Sequence, residues 1–279
     1  MEEATVMAAL STLPPHHFSD LTNSMAALLR RQRRRIATVL SSPALFSLTL
    51  HHLHSLSLRQ KSFLIARLLL SSLHLLAAHL QPTSASAPPP AAPLRDLDAA
   101  LLLLLLCELR NHDPHALNTP LPNWRPAAAK YAAGTALTLS IAAASESEAL
   151  IEFVEMVGKC RRFVGTMWGK EGGEAAAAVA AVVALPSVEV TGAGIECAIC
   201  REEMREGRDV CELPCEHLFH WICILPWLRK TNTCPCCRRR LPTDDVIAEI
   251  DRLWEVVVET AASNFFGGCT QSDLMQDGA

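Results

Sequence analysis

The residues best able to do chemistry lie between Cys197 and Cys237. Six cysteines and two histidines occur there in four closely spaced pairs, and zinc prefers thiolate and imidazole ligands. Zinc binds four such ligands in a tetrahedron, so eight ligands make two closed sites with no position left for water. We therefore expect two structural zinc ions and no catalytic metal. The eight candidate ligands are Cys197, Cys200, Cys215, His217, His220, Cys223, Cys234 and Cys237.

The order of these ligands is C-x2-C, then C-x-H-x2-H-x2-C, then C-x2-C, and it resembles the RING-H2 family of zinc modules. In that family the ligand pairs interleave. The resemblance implies one ion held by Cys197, Cys200, His220 and Cys223, and a second held by Cys215, His217, Cys234 and Cys237. The last turn reads Cys-Pro-Cys-Cys, so Cys236 competes with Cys237 as a ligand, although the C-x2-C spacing favours Cys237.

The resemblance also implies a docking surface for a ubiquitin-charged E2 enzyme. RING modules form it as a shallow apolar groove, with an aliphatic residue between the first two ligands, a tryptophan on the helix after the sixth ligand and a proline in the last turn. A basic residue after the last ligand touches both E2 and ubiquitin. The matching residues here are Ile199, Trp227, Pro235 and Arg238. Trp227 has a second interpretation, as an aromatic residue of the core.

A 41-residue module is too small to fold unaided, so it should exist only with zinc, and it has little room for a catalytic pocket. The resemblance implies a RING-type E3 ubiquitin ligase that promotes transfer from E2 to lysines of protein substrates. No catalytic residue and no covalent intermediate are expected on this chain. The alternatives are an interaction scaffold that does not activate E2 and a zinc module that reads histones or DNA. The net charge of −4 argues against a nucleic-acid partner.

Composition predicts a mainly α protein. Half of the 279 residues are hydrophobic but only 5% are aromatic, which is typical of Leu/Ala-rich helices. The five cysteines outside the ligand set are scattered, which indicates reduced thiols and not a disulfide scaffold. The predicted organisation is an N-terminal helical region (1–81), a Pro/Ala/Ser-rich linker (82–93), a second helical region (94–185), a linker (186–196), the RING-H2 finger (197–238), a C-terminal helix (243–262) and a disordered tail (263–279).

The N-terminal region carries the signals that bear on location. Two glutamates follow Met1, whereas signal and transit peptides avoid acidic residues, and no unbroken apolar run reaches the length of a membrane span. Five arginines occupy positions 30–35, as a solvated helix face or as a site for anionic lipid. The acidic start, the stretch RRRIATVLSSPALFSLTLHHLHSLSL and the RING with its trailing helix resemble amyloplast-associated RING ligases of plants. That resemblance implies a role in gravity response and a peripheral contact on the cytosol-facing plastid surface; a cytoplasmic location is the alternative.

Overall fold

The computed structural model describes residues 2–81, 93–138, 146–168, 175–190, 194–205 and 209–267. The described residues divide into two compact units. The first contains the residues up to Leu80, 93–168 and 257–267, and the second contains residue 81 and 175–256. The predicted mainly α class with a small zinc module is confirmed. Most of the predicted 82–93 linker lies outside the described residues.

The first unit is helical throughout its regular structure. Its helices are α1 (Glu2–Leu10), α2 (Pro15–Ser41), α3 (Pro43–Ser55), α4 (Leu58–Leu80), α5 (Leu94–His112), α6 (Trp124–Thr138) and α7 (Glu146–Trp168). The break predicted near Ser57 separates α3 from α4. It is a capping box, in which the Gln60 side chain accepts the Ser57 N–H at 2.8 Å and the Ser57 hydroxyl accepts the Gln60 N–H at 3.3 Å.

The core of this unit forms where α4 packs against α7 and α5, and where α2 packs against α5 and α7. The helical regions on either side of the predicted 82–93 linker therefore share one core. Helical periodicity shows which face of a helix is apolar, but it does not show which helix covers that face. The division into two helical regions thus describes the order of the chain and not the packing.

Two arginines of the basic run hold α2 in this core. Arg33 pairs with Glu152 of α7, and Arg35 binds Asp98 of α5 through both carboxylate oxygens, with an Nε–Oδ1 distance of 2.9 Å. The Asp98 side chain is only 5% exposed, whereas that of Arg35 is 28% exposed. The basic run is therefore not uniformly solvated: part of it forms ion pairs within the unit, and Arg30, Arg31 and Arg34 remain exposed.

In the described part of the chain, α4 alone is long and apolar enough to cross a membrane by itself, with a mean hydropathy of 1.7. The pair α2–α3 reaches the same threshold only together, across a 105° bend. The sequence predicted a helix here but no candidate span, because polar residues interrupt the apolar runs of α4. In the fold, 56% of its most apolar window is buried inside the protein, which is the packing of a core helix.

The second unit contains α8 (Val179–Val183), β1 (Ser187–Glu189), β2 (Asp209–Glu212), β3 (Leu218–Phe219) and α9 (Trp221–Leu228). The strands form an antiparallel sheet in the order β1-β2-β3, with Ser187 opposite Cys211 and Cys211 opposite Phe219. Phe219 of β3 and Ile224 and Leu228 of α9 are buried in the core of the module.

The segment predicted as the 186–196 linker contains β1 and belongs to the zinc module. Val188 and Val190 pack against the module's core, and Ser187-Val-Glu-Val has the alternation of a strand. Upstream of β1, the Ala177 N–H donates to the Leu228 carbonyl at 2.9 Å, and the Ala178 N–H donates to that of Pro242 at 2.8 Å. The folded module therefore begins about twenty residues before the first zinc ligand.

The C-terminal helix, α10, spans Val246–Gly267 and is displaced from the predicted 243–262 at both ends. Asp245 caps it, because its Oδ1 accepts the N–H groups of Ile247 and Ala248 at 3.0 and 2.8 Å. Residues 263–267 are helical and not part of a disordered tail: no residue there breaks a helix before the Gly267-Gly268 pair. Residues 268–279 lie outside the described residues.

The pair Arg35–Asp98 gives a first prediction. Arg35→Ala leaves the buried Asp98 carboxylate without its partner and should lower the free energy of unfolding by about 3–5 kcal/mol. Asp98→Ala leaves an arginine that can turn to solvent and should lower it by only about 1–2 kcal/mol. Urea unfolding of the zinc-loaded chain measures both. Arg34→Ala, which removes an exposed side chain, is the control and should change stability by less than about 0.5 kcal/mol. Equal losses from the two pair variants would contradict this account.

Candidate metal centre

The eight candidate ligands converge in two groups of four. Cys197, Cys200, His220 and Cys223 form one, Cys215, His217, Cys234 and Cys237 form the other, and the ligand atoms within each group lie within 4.8 Å of one another. These are the interleaved sets that the family resemblance implied. Each metal joins ligands that are distant in sequence, so the two sites cross-link the module.

The distances within the groups suit a tetrahedral zinc. Sγ of Cys200 lies 3.4 Å and Sγ of Cys223 lies 4.0 Å from Nδ1 of His220. In the second group, Sγ of Cys215 lies 3.4 Å from Nδ1 of His217. Tetrahedral bonds of about 2.3 Å to sulfur and about 2.0 Å to nitrogen place the two ligand atoms about 3.5 Å apart. The donor set fits two zinc ions, as predicted.

The two C-x2-C turns have the same backbone structure. In the first, the Cys197 N–H donates to the Glu202 carbonyl and the Arg201 N–H donates to the Cys197 carbonyl, at 2.9 and 2.7 Å. In the last, Cys234, Arg238 and Arg239 make the equivalent bonds at 2.9 and 3.0 Å. The residue after each second cysteine is left-handed, with φ of 61° at Arg201 and 62° at Arg238. Both turns are therefore short hairpins closed by an αL residue.

The middle pair lies on a third tight turn. Leu213 donates its N–H to the His217 carbonyl at 3.0 Å, and Glu216 donates its N–H to the Leu213 carbonyl at 2.8 Å. Glu216, between the ligands Cys215 and His217, is left-handed at φ 63°. His220 then serves as the N-cap of α9, which carries Cys223 in its first turn. One strand-turn-strand-helix segment thus supplies two ligands to each metal.

Backbone N–H groups favour the thiolate form of particular ligands. Burial opposes ionisation of Cys197, but N–H groups of Cys200, His220 and Ile199 outweigh it and lower its pKa to about 7. The N–H of Arg239 likewise lowers the pKa of Cys237. Burial and neighbouring thiols raise the pKa of Cys215 and Cys223 to about 12. Three thiolates in one group therefore need a cation between them, and zinc supplies that charge.

Cys236 is outside both groups. It is exposed and occupies the third position of its turn, which Ile199 occupies in the first turn. In a C-x2-C hairpin, the first and fourth side chains converge on the metal and the third points away. The structure therefore selects Cys237 over Cys236 as the ligand.

The four residues predicted to bind E2 lie on or beside these turns. Ile199 is exposed on the first turn, Pro235 is half-buried on the last, and Arg238 is exposed after the last ligand. Trp227 is half-buried on α9 and packs against the core, and its Nε1 donates to the Thr233 carbonyl at 2.7 Å. Trp227 is therefore both a core aromatic and a surface residue. One part of its ring supports α9 on the last turn, and the remainder reaches solvent.

Sequence reasoning missed the hydrogen bonds of the two tryptophans on α9. Thr233 accepts the Trp227 bond, and Trp221 donates from Nε1 to Oγ of Ser187 in β1 at 3.1 Å. The available signal was the second tryptophan at the start of α9, but its partner lies 34 residues away in the segment that was predicted to be a linker.

The chain is similar in sequence to named ubiquitin ligases. A family model described as "Ring finger domain" matches residues 195–238. The Arabidopsis thaliana protein named "E3 ubiquitin-protein ligase SGR9, amyloplastic" is 48% identical over 272 residues, which cover 92% of this chain and 95% of that protein. E3 ubiquitin-protein ligase RNF181 of Xenopus tropicalis is 56% identical over 72 residues, covering 24% of this chain and 46% of RNF181.

The zinc content of two variants tests whether Cys237 or Cys236 is the ligand. Cys237→Ser removes a convergent thiolate and should reduce the bound zinc from two ions to one or fewer per chain. Cys236→Ser changes a thiol at the adjacent position and should retain both ions. Atomic absorption on the purified full chain after dialysis gives the ratio, with Cys107→Ser, outside the module, as a control. Loss of zinc from Cys236→Ser would show that this ligand assignment is wrong.

Proposed function

Because this chain belongs to the RING-type E3 ubiquitin-protein ligases, we propose that four residues form its docking surface for a ubiquitin-charged E2, namely Ile199, Trp227, Pro235 and Arg238. The chain is a ubiquitin transferase of this class. The observation that carries the function is the convergence of eight ligands in two interleaved groups, in a chain that aligns with 95% of a named E3 ligase.

The chemistry of transfer takes place on the E2. The amine of a substrate lysine attacks the E2–ubiquitin thioester, an isopeptide bond forms, and the E2 cysteine leaves as a thiol. Zinc supplies no reactive group here; when bound, it fixes the turns. This chain's residues bind and orient, and no covalent intermediate forms on them. The described structure supports this role, because the proposed residues form an exposed or half-exposed surface on and beside metal-fixed turns.

Trp227 is the proposed anchor of the surface. A half-buried aromatic held by a hydrogen bond loses little conformational entropy on binding, and such residues often dominate interface energies. The bond to Thr233 fixes the ring at the start of the last turn, since Thr233 directly precedes the ligand Cys234 and lies two positions before Pro235. Arg238, displayed from a left-handed residue after Cys237, is proposed to reach both E2 and ubiquitin. Protein substrates are the other partner class, and we propose that the helical unit selects them.

We further propose that the protein associates with the amyloplast, as the name of its Arabidopsis relative indicates for that protein. The cytosol-facing surface suits a ligase that must meet E2 and ubiquitin. The helix α1 is an integral part of the first unit, because its Val6, Ala9 and Leu10 are buried and its Glu2 and Glu3 pair with Arg162 of α7. A role in gravity response stays a prediction.

The peripheral contact is assigned to the exposed face of α2. Arg30, Arg31 and Arg34 are exposed on one side of the helix, and no acidic side chain in the described part of the chain pairs with them. Like charges at this spacing repel, so an anionic surface would relieve them, at about 1 kcal/mol for each arginine. Arg33 and Arg35 contribute to folding instead, through their pairs with Glu152 and Asp98.

E2 docking is tested by a matched pair of tryptophans on α9. Trp227→Ala should weaken E2 binding by roughly 1–3 kcal/mol while both zinc ions stay bound, because it removes an interface anchor. Trp221→Ala removes a half-buried, hydrogen-bonded indole that faces β1 and should leave E2 affinity nearly unchanged. Calorimetric titration with an E2 and ubiquitin discharge assays measure the two effects. Equal loss from both variants would indicate damage to the module. Intact E2 binding without discharge in the unmodified protein would favour the scaffold alternative.

Plastid association is tested with two sets of arginine variants. Changing Arg30, Arg31 and Arg34 to Ala should release the protein from the plastid fraction without loss of stability, and added salt should have the same effect on the unmodified protein. Arg33→Ala is the control: it removes the pair with Glu152, so it should lower stability without releasing the folded protein from the plastid fraction. Retention of the triple variant in high salt would contradict the electrostatic contact, and release by detergent alone would point to an embedded helix such as α4. Protection of the whole chain in protease-treated plastids would refute the outer-surface location.

A further inference from the structure

Four large aliphatic side chains of the second unit are exposed on two short helices, and we call them the aliphatic patch. Val179 and Val183 of α8 are 73% and 80% exposed, and Ile222 and Leu225 of α9 are 82% and 39% exposed. Single exposed aliphatic residues are ordinary, but a contiguous group usually marks an interaction site. The four residues must therefore be shown to be neighbours.

Two hydrogen bonds place α8 alongside α9. The Ala177 N–H reaches the carbonyl of Leu228 at the end of α9, and Oγ of Ser187 receives Nε1 of Trp221 at its start. The chain from 177 to 187 therefore runs antiparallel to α9, and α8 lies between the two bonds. Val182 and Leu185 pack against the module's core, so Val179 and Val183 lie on the outer, exposed side of this segment, which runs beside α9.

The patch lies on a different side of α9 from the proposed E2 surface. At about 100° per residue, Ile222 is about 140° and Leu225 about 160° around the helix from Trp227. One face of α9 can therefore bind E2 while another face binds a second partner. The patch is thus not accounted for by E2 docking.

Charge limits what that partner can be. Residues 175–186 contain no polar or charged side chain, so the centre of the patch offers nothing to a charged surface. Its two ends differ: Glu189 is exposed beyond the start of α9, and Arg229 and Lys230 are exposed just after its end. An eight-residue helix separates these ends by about 12 Å.

We propose that the aliphatic patch is the contact between two copies of this chain, related by a two-fold axis through the patch. Such an interface must be complementary to itself, which a neutral aliphatic centre satisfies. The same axis reverses the direction of the patch between the two copies, so Glu189 of one copy faces Arg229 and Lys230 of the other. The dimer leaves Trp227 free in both copies and therefore presents two E2 docking surfaces.

The test is sedimentation equilibrium of the zinc-loaded full chain over a range of concentrations, which should show a monomer–dimer equilibrium. Ile222→Glu and Val183→Lys should each weaken association about tenfold or more, because each buries an unpaired charge in an apolar contact. Both should keep two zinc ions, since the changed side chains are exposed. Leu48→Glu, at a 67% exposed leucine of α3 in the first unit, is the control and should leave association unchanged.

Charge reversal tests the two-fold arrangement. Glu189→Lys alone and Arg229→Glu with Lys230→Glu should each weaken the dimer, and the three changes on one chain should restore it. A chain that is monomeric at all concentrations overturns the proposal, as does a dimer that Ile222→Glu and Val183→Lys leave intact. Loss of E2 affinity in Ile222→Glu without any dimer would make the patch part of the E2 site. Trp227→Ala should dimerise normally, which separates failure of this proposal from failure of E2 docking.

Discussion

The zinc module depends on a cation in each ligand group, because only a cation can remove the repulsion between the thiolates. Each ligand group brings three sulfurs and one imidazole within 4.8 Å, in a unit too small to hold them together by apolar burial alone. N–H groups of the turns stabilise the thiolates at Cys197 and Cys237, whereas burial and neighbouring thiols oppose ionisation at Cys215 and Cys223. Metal binding is therefore coupled to folding, and the proposed docking surface depends on turns that the metal fixes.

Two features of the sequence extend the module beyond its metal ligands. The segment 175–190 contributes a strand, a short helix and two backbone hydrogen bonds to the module, and α10 begins at a cap supplied by Asp245. Beside that cap, the buried pair Glu249–Arg252 is satisfied because the Thr243 N–H also donates to Glu249 at 3.1 Å. A buried charge pair is stabilising only when its remaining hydrogen bonds are made, and here the chain between module and helix makes one.

The sequence predicted the zinc centre well because its chemistry is local. Ligand type and spacing limit which atoms can share a metal, and family resemblance supplied the interleaving of the pairs. The helices were also predictable, apart from their ends, because periodicity and capping residues act over a few positions. Contacts between distant segments were not. Nothing near Arg33 or Arg35 in the sequence indicates Glu152 or Asp98, and nothing near Ser187 indicates Trp221. The polar residues that interrupt α4 similarly concealed a helix apolar enough to span a membrane.

The helix α9 shows why exposure had to come from the structure. Its eight residues are almost all apolar, so the sequence alone cannot separate buried from exposed positions. In the fold, Ile224 and Leu228 are buried in the core, Trp221 binds β1, and Trp227 binds the last zinc turn. These four contacts occupy an arc of about 120° of the helix, at about 100° per residue, and leave Ile222 and Leu225 facing solvent. Because the four contacts fix the orientation of α9, the apolar character of Ile222 and Leu225 is a property of the surface and not a by-product of core packing.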